Sequence, residues 1–146
     1  MLPFKKILYP TDFSEASYEA LKVANELALH FSAELYLVHV VSPAVPPSPE
    51  FASSVLPLQE ESAEKSLQEV AKQRVSKELA AHQIVVLGGA AEEIIRMSEE
   101  NKADLIVIGT HGQTGWRHMV FGSVAEKVVR LAPCPVLTIR APHREG

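Results

Sequence analysis

A chain of 146 residues with 47% apolar and 22% charged side chains has the balance of a globular protein that buries a sizeable core, which excludes global disorder. Its net charge of -4 supplies no overall positive field to draw it to nucleic acid or anionic lipid. The one cysteine, Cys134, excludes an intrachain disulfide and a multi-cysteine metal site, and between Pro133 and Pro135 it reads as a small buried hydrophobe. The opening Met1-Leu-Pro-Phe-Lys-Lys lacks the apolar stretch of a secretory signal, and no run approaches a membrane span, so the expectation is a soluble cytoplasmic protein of one domain over residues 1–146.

Lys5 to Tyr9 reads as a short strand, with Pro10-Thr11-Asp12 just beyond its end. Ser14 suits the N-cap of a helix whose apolar positions Ala16, Ala20, Val23, Ala24, Leu27, Ala28 and Phe31 share one face. Glu34 to Val41 is a second strand. Residues 42–57 hold five of the ten prolines and read as a loop, either a flap over the strand ends or a plain surface crossover. From Leu58 to about Ala81 an amphipathic helix places Ala63, Leu67, Val70, Ala71, Val75 and Leu79 on one side, with Glu60, Glu61, Glu64, Lys65, Glu69 and Lys72 as a solvated face. Gln83 to Leu87 is the third strand, closed by Gly88-Gly89; Ala90 to Asn101 the third helix; Asp104 to Gly109 the fourth strand; Gly122 to Leu131 the fourth helix; Cys134 to Arg140 the fifth strand.

Strand and helix alternation with short apolar strands predicts an α/β fold, an open parallel sheet with helices on both faces. With order 3-2-1-4-5, strands one and four leave the switch point in opposite directions, and ligands bind outside the strand C-termini there. Pro10-Thr11-Asp12 and Gly109-Thr110-His111-Gly112 then converge on one crevice. Asp12 either caps the first helix, with Glu15 as in a capping box, or offers a carboxylate to a ribose hydroxyl, a base amino group or a phosphate-bound metal. His39-Val40-Val41 flanks the same crevice, where main-chain groups can bond a base edge while valine covers its face; His39 itself reads as a strand histidine with a satisfied partner.

The most informative pattern is Gly109-Thr-His-Gly112, nine further residues, then Gly122-Ser123, set between an apolar strand and a helix start. Glycines let main chain approach phosphate oxygens, and the free N–H groups and dipole of a helix N-terminus favour negative charge. Taken singly, Gly109, Gly112 and Gly115 serve turns equally well, and Ser123 with Glu126 reads as a Ser-x-x-Glu capping box. A P-loop ends in Gly-Lys-Ser/Thr, but here Phe121-Gly122 precedes Ser123, so no lysine sits in the turn to stabilise a transferring phosphoryl group. Arg117 and His118 are the nearby basic residues, with no spacing that fixes them on a phosphate. The cradle is built to hold a triphosphate and poorly equipped to cleave it. Trp116, inside the glycine loop, is a natural fluorescence reporter.

Ile7-Leu8-Tyr9-Pro10-Thr11-Asp12-Phe13-Ser14, His39-Val40, Asp104 to Gly112 through Gly122-Ser123-Val124-Ala125-Glu126, and Cys134-Pro135-Val136-Leu137 together resemble the universal stress protein family over essentially the whole chain. The resemblance implies a Rossmann-like five-stranded sheet of order 3-2-1-4-5 and a homodimer joined through the fifth strands. The family's ATP binders carry Gly-x2-Gly-x9-Gly-Ser/Thr, matched here at Gly109, Gly112, Gly122 and Ser123. By that likeness Pro10, Thr11, Asp12 and Val40 line the base and ribose end. Gly109, Gly112, Gly122, Ser123 and Val124 hold the phosphates, with magnesium or manganese accompanying ATP and no dedicated metal site. Val136-Leu137-Thr138-Ile139, an apolar strand with no later strand to cover it, gives the dimer a physical reason of its own. The expected function is an ATP-binding signalling module with no catalytic residues and an unidentified protein partner. A slow ATPase and a nucleotide-independent interaction module are the alternatives.

Overall fold

The structure, a computed structural model, describes residues 2–42, 48–50, 55–110 and 122–141. In chain order the elements are β1 (Lys6–Pro10), α1 (Glu15–Phe31), β2 (Glu34–Val41), α2 (Leu56–Arg74), β3 (Ala81–Leu87), α3 (Ala90–Glu100), β4 (Leu105–Gly109), α4 (Ser123–Leu131) and β5 (Val136–Ile139). The five strands form one parallel sheet of order β3-β2-β1-β4-β5, the expected order, with the switch point between β1 and β4. Side chains alternate across it. Ile7, Tyr9, Leu35, Leu37, Leu105 and Val107 face α1 and α2, whereas Leu8, Tyr36, Val38, Ile106 and Ile108 face α3 and α4. The central strands are buried on both faces, which is why β1 and β4 read as unbroken apolar runs.

Several sequence-based boundaries shift, two of them at α2 for local reasons. Helix α2 ends at Arg74 instead of continuing to Ala81, because Ser76 offers the chain another set of bonds. Its N–H donates to Asn25 Oδ1 at 2.8 Å, and its Oγ accepts from the Glu78 N–H at 3.3 Å. Val75 is still buried and Leu79 still packs on the core, so the apolar spacing reaches its target through a turn. The same helix starts at Leu56, one turn position before Pro57, where the missing N–H of proline costs nothing. Strand β5 is shorter than Cys134 to Arg140, and Cys134 is half-buried against the α3/α4 core, where burial and the Asp104 charge push its thiol pKa up.

Proline opens the switch point. Even-numbered residues of β1 turn their main-chain groups towards β4, as Lys6 does in accepting from the Asp104 N–H at 2.8 Å, and odd-numbered ones towards β2. Pro10 therefore lacks the donor that would extend the β4 ladder. Pairing with β4 registers Ile7 with Leu105 and Leu8 with Ile106 and stops, whereas pairing with β2 runs on to Pro10 opposite Val38. At the opposite end of the sheet Asp104 holds the same strands together, its Oδ2 accepting from the Lys5 and Lys6 N–H groups at 2.8 and 3.0 Å.

Candidate functional site

Above the opened end of β1 and β4 lies a cleft of about 280 Å³, near the lower end of the range for small-molecule sites. Pro10, Thr11, Asp12, Val40, Gly109, Gly122, Ser123 and Val124 all line it, so the fold brings together every described residue that the sequence nominates. Gly112 lies outside the described residues, as do His111, Trp116, Arg117 and His118. Val38, Ile94, Ile108 and Ala125 add an apolar wall that the sequence reading did not include. The signal for Ile94 was available: α3 starts directly after Gly88-Gly89 and points its first turns at the same strand ends.

The turn after β1 is tied down by its own hydroxyls. The Thr11 Oγ1 accepts from the Phe13 N–H at 3.0 Å and lies 2.9 Å from Ser17 Oγ, which in turn donates to the Ser14 carbonyl at 2.8 Å. Because Ser17 uses its one proton on that carbonyl, Thr11 donates to Ser17. Beneath them Tyr9, fully buried, donates its phenol to the Ser17 carbonyl at 2.6 Å, and burial pushes its pKa up to about 12. Thr11 was nominated by the family resemblance, whereas Ser17 was not separable from an ordinary helix residue by sequence alone.

Ser14 is the N-cap of α1, as the sequence predicts, accepting from the Ser17 N–H at 3.2 Å. Asp12 is not the cap; its Oδ1 accepts from the Ser14 N–H at 2.9 Å in a tight turn before the helix. The alternative reading of Ser123 and Glu126 as a capping box is also not realised. Gly122 occupies the cap position of α4 with φ -70° and ψ 159°, and among the described residues no side-chain cap bond is made. Placing Ser123 one residue inside the helix leaves its hydroxyl and the first-turn N–H groups without a side-chain cap, at the edge of the cleft. Such an end carries partial positive charge suited to an anion.

Gly109 has a second, structural reason to be glycine. A Cβ there would stand 2.6 Å from the Ala16 carbonyl oxygen and 3.0 Å from the Ser17 nitrogen, so its bare backbone lets the first turn of α1 press on the end of β4. Just beyond it Thr110, buried, donates its N–H to the Ile139 carbonyl at 2.9 Å and fixes the loop's departure to β5. His39 has the satisfied partner the sequence suggests, its Nδ1 lying 2.7 Å from the Thr11 carbonyl oxygen. Among the described residues Asp12 is the one carboxylate lining the cleft, no lysine or arginine joins it, and no three His, Cys, Asp or Glu side chains gather at metal-ligand spacing. No helix of the described residues is long and apolar enough to cross a membrane.

The sequence model of the universal stress protein family matches residues 3–140. Universal stress protein MJ0531 of Methanocaldococcus jannaschii is 40% identical over 145 residues, covering 97% of this chain and 85% of that one. Universal stress protein MJ0577 of the same organism is 32% identical, covering 94% and 95%. Its structure superposes with a TM-score of 0.86 at 31% identity, over 97% of this chain and 99% of that one. A universal stress protein crystallised in complex with cAMP shares the fold, with a TM-score of 0.67 at 23% identity over 94% and 97% of the two chains. With the family's pattern matched from the first strand to the fifth, the chain belongs to the universal stress protein family.

Proposed function

We propose that this protein is an ATP-binding module of the cytoplasm, a single domain whose nucleotide occupancy is read by a protein partner. The observation that carries the reading is that the uncapped, glycine-started α4 shares one cleft with Asp12 and Val40. The end of α4, with Gly109, Gly122, Ser123 and Val124, suits the phosphates, and Gly112 belongs to the same motif. Pro10, Thr11, Asp12 and Val40 suit the base and ribose. Magnesium or manganese would travel with the phosphates, which supply most of its ligands. A universal stress protein of the same fold is crystallised with cAMP, itself an adenine nucleotide.

Holding is favoured over cleaving because the described lining offers no cationic side chain to stabilise a transferring phosphoryl group. Titration calorimetry with ATP and magnesium should give one bound nucleotide per chain, with ADP formed far more slowly than the ~1 s⁻¹ at which enzymes begin. Absence of binding heat would remove the reading, and turnover at enzyme rates would replace it with an ATPase. We infer also a homodimer through β5, an edge strand whose Leu137, with Leu131 of α4 nearby in sequence, is left exposed. Sedimentation as a 16.0 kDa species at all concentrations would contradict it.

A further inference from the structure

We propose that His39 is a positioning residue for this cleft: its imidazole occupies the Thr11 carbonyl and so keeps the Val40 main-chain N–H available to the ligand. The inference deepens the ATP-binding reading and rests on it. In a parallel ladder the bond from Thr11 N–H to Val38 C=O, here 2.8 Å, is followed by one from Val40 N–H to Thr11 C=O. Among the described residues that next bond is not made. The Thr11 carbonyl instead meets His39 Nδ1 at 2.7 Å. A carbonyl oxygen only accepts, so the ring proton sits on Nδ1, and both main-chain groups of Thr11 are satisfied from β2. The side chain of His39 thus does what the amide of its neighbour would have done.

Val40 N–H is thereby turned towards β1 at the point where β1 leaves the sheet. Even-numbered residues of β2 face β1 there, because the odd-numbered ones face β3, as Val41 shows by accepting from the Gly88 N–H at 3.1 Å. The departure of β1 is held by the same ring. Phe13 adopts φ 64°, a conformation that costs a bulky residue free energy, and its ring lies 4.5 Å from that of His39. His39 therefore grips the residues on either side of Asp12, Thr11 through its carbonyl and Phe13 through its ring. One side chain couples the β2 wall to the turn that carries the carboxylate.

The test compares His39→Phe, which keeps a ring against Phe13 but has no donor, with His39→Asn, whose side-chain NH₂ can take the place of Nδ1–H. ATP affinity is measured by calorimetry, Val40 amide exchange by NMR in the nucleotide-free protein, and folding by thermal melting. In H39F the orphaned carbonyl should capture the Val40 N–H, slowing that amide's exchange and weakening ATP about tenfold, the equivalent of one hydrogen bond. H39N should restore both readouts towards the wild-type values. Equal affinity in H39F and wild type, or equal losses in H39F and H39N, would overturn the inference while leaving ATP binding intact. A wild-type protein that binds no ATP would overturn the parent reading and this inference with it.

Discussion

Replacing Gly122 with leucine is expected to weaken ATP binding by at least ~100-fold while the chain stays folded. Its φ of -70° and ψ of 159° are open to any residue, so the backbone has no reason to resist the change. What changes is the space. Gly122 caps α4 at the rim of a cleft of about 280 Å³, and a branched side chain there competes with phosphate for the same first-turn N–H groups. Losing two such contacts, at about 1.4 kcal/mol per tenfold, accounts for the magnitude. The stability cost should be about 1 kcal/mol or less, because leucine is a poorer cap than glycine. Calorimetry and urea denaturation on the same variant separate the two effects, and an unchanged affinity would defeat the phosphate assignment.

Gly109→Ala should behave in the opposite way, losing stability first and affinity as a consequence. The added methyl would meet the Ala16 carbonyl oxygen at 2.6 Å, the Ala16 carbonyl carbon at 2.8 Å and the Ser17 nitrogen at 3.0 Å. These are main-chain atoms of a helix and cannot swing aside, so α1 must lift from β4. Overpacking of this kind costs about 1–3 kcal/mol, which exceeds the 0.4–1 kcal/mol that alanine contributes by restricting the unfolded chain. Lifting α1 also displaces Ser14 and Ser17, whose hydroxyls brace the Thr11 turn, so ATP affinity should fall too. Adding Ala16→Gly should not rescue the variant, because the clash is with backbone. A denaturation midpoint equal to wild type would show that α1 and β4 are not pressed together as described.

Much of this was legible before any coordinates. The Leu, Tyr and Val content of β2 marked it to the residue, the apolar runs of β1 and β4 marked the buried centre, and the family resemblance supplied the 3-2-1-4-5 order that brings Asp12 to Gly109. The missed features are those in which local bonding or backbone angles override the apolar spacing. Ser76 diverts the end of α2, and Gly122 takes the cap position from Ser123 because φ and ψ at the preceding residue, which composition does not reveal, decide where the helix begins. The left-handed Phe13 was illegible for a different reason. Aromatic residues seldom adopt that conformation, and what holds it is a histidine 26 positions later in the chain. Gly109 was legible as a special position but for an incomplete reason, since its contact is with a helix nearly a hundred residues away in sequence.

The most direct test of the account is a map of main-chain amide shifts in the isotope-labelled protein as magnesium and ATP are added. The shifts should concentrate on Thr11, Asp12, Val40, Gly109 and Gly122 through Val124, the residues that the fold gathers at the switch point. Shifts confined to another surface, or none at saturating ATP, would contradict it.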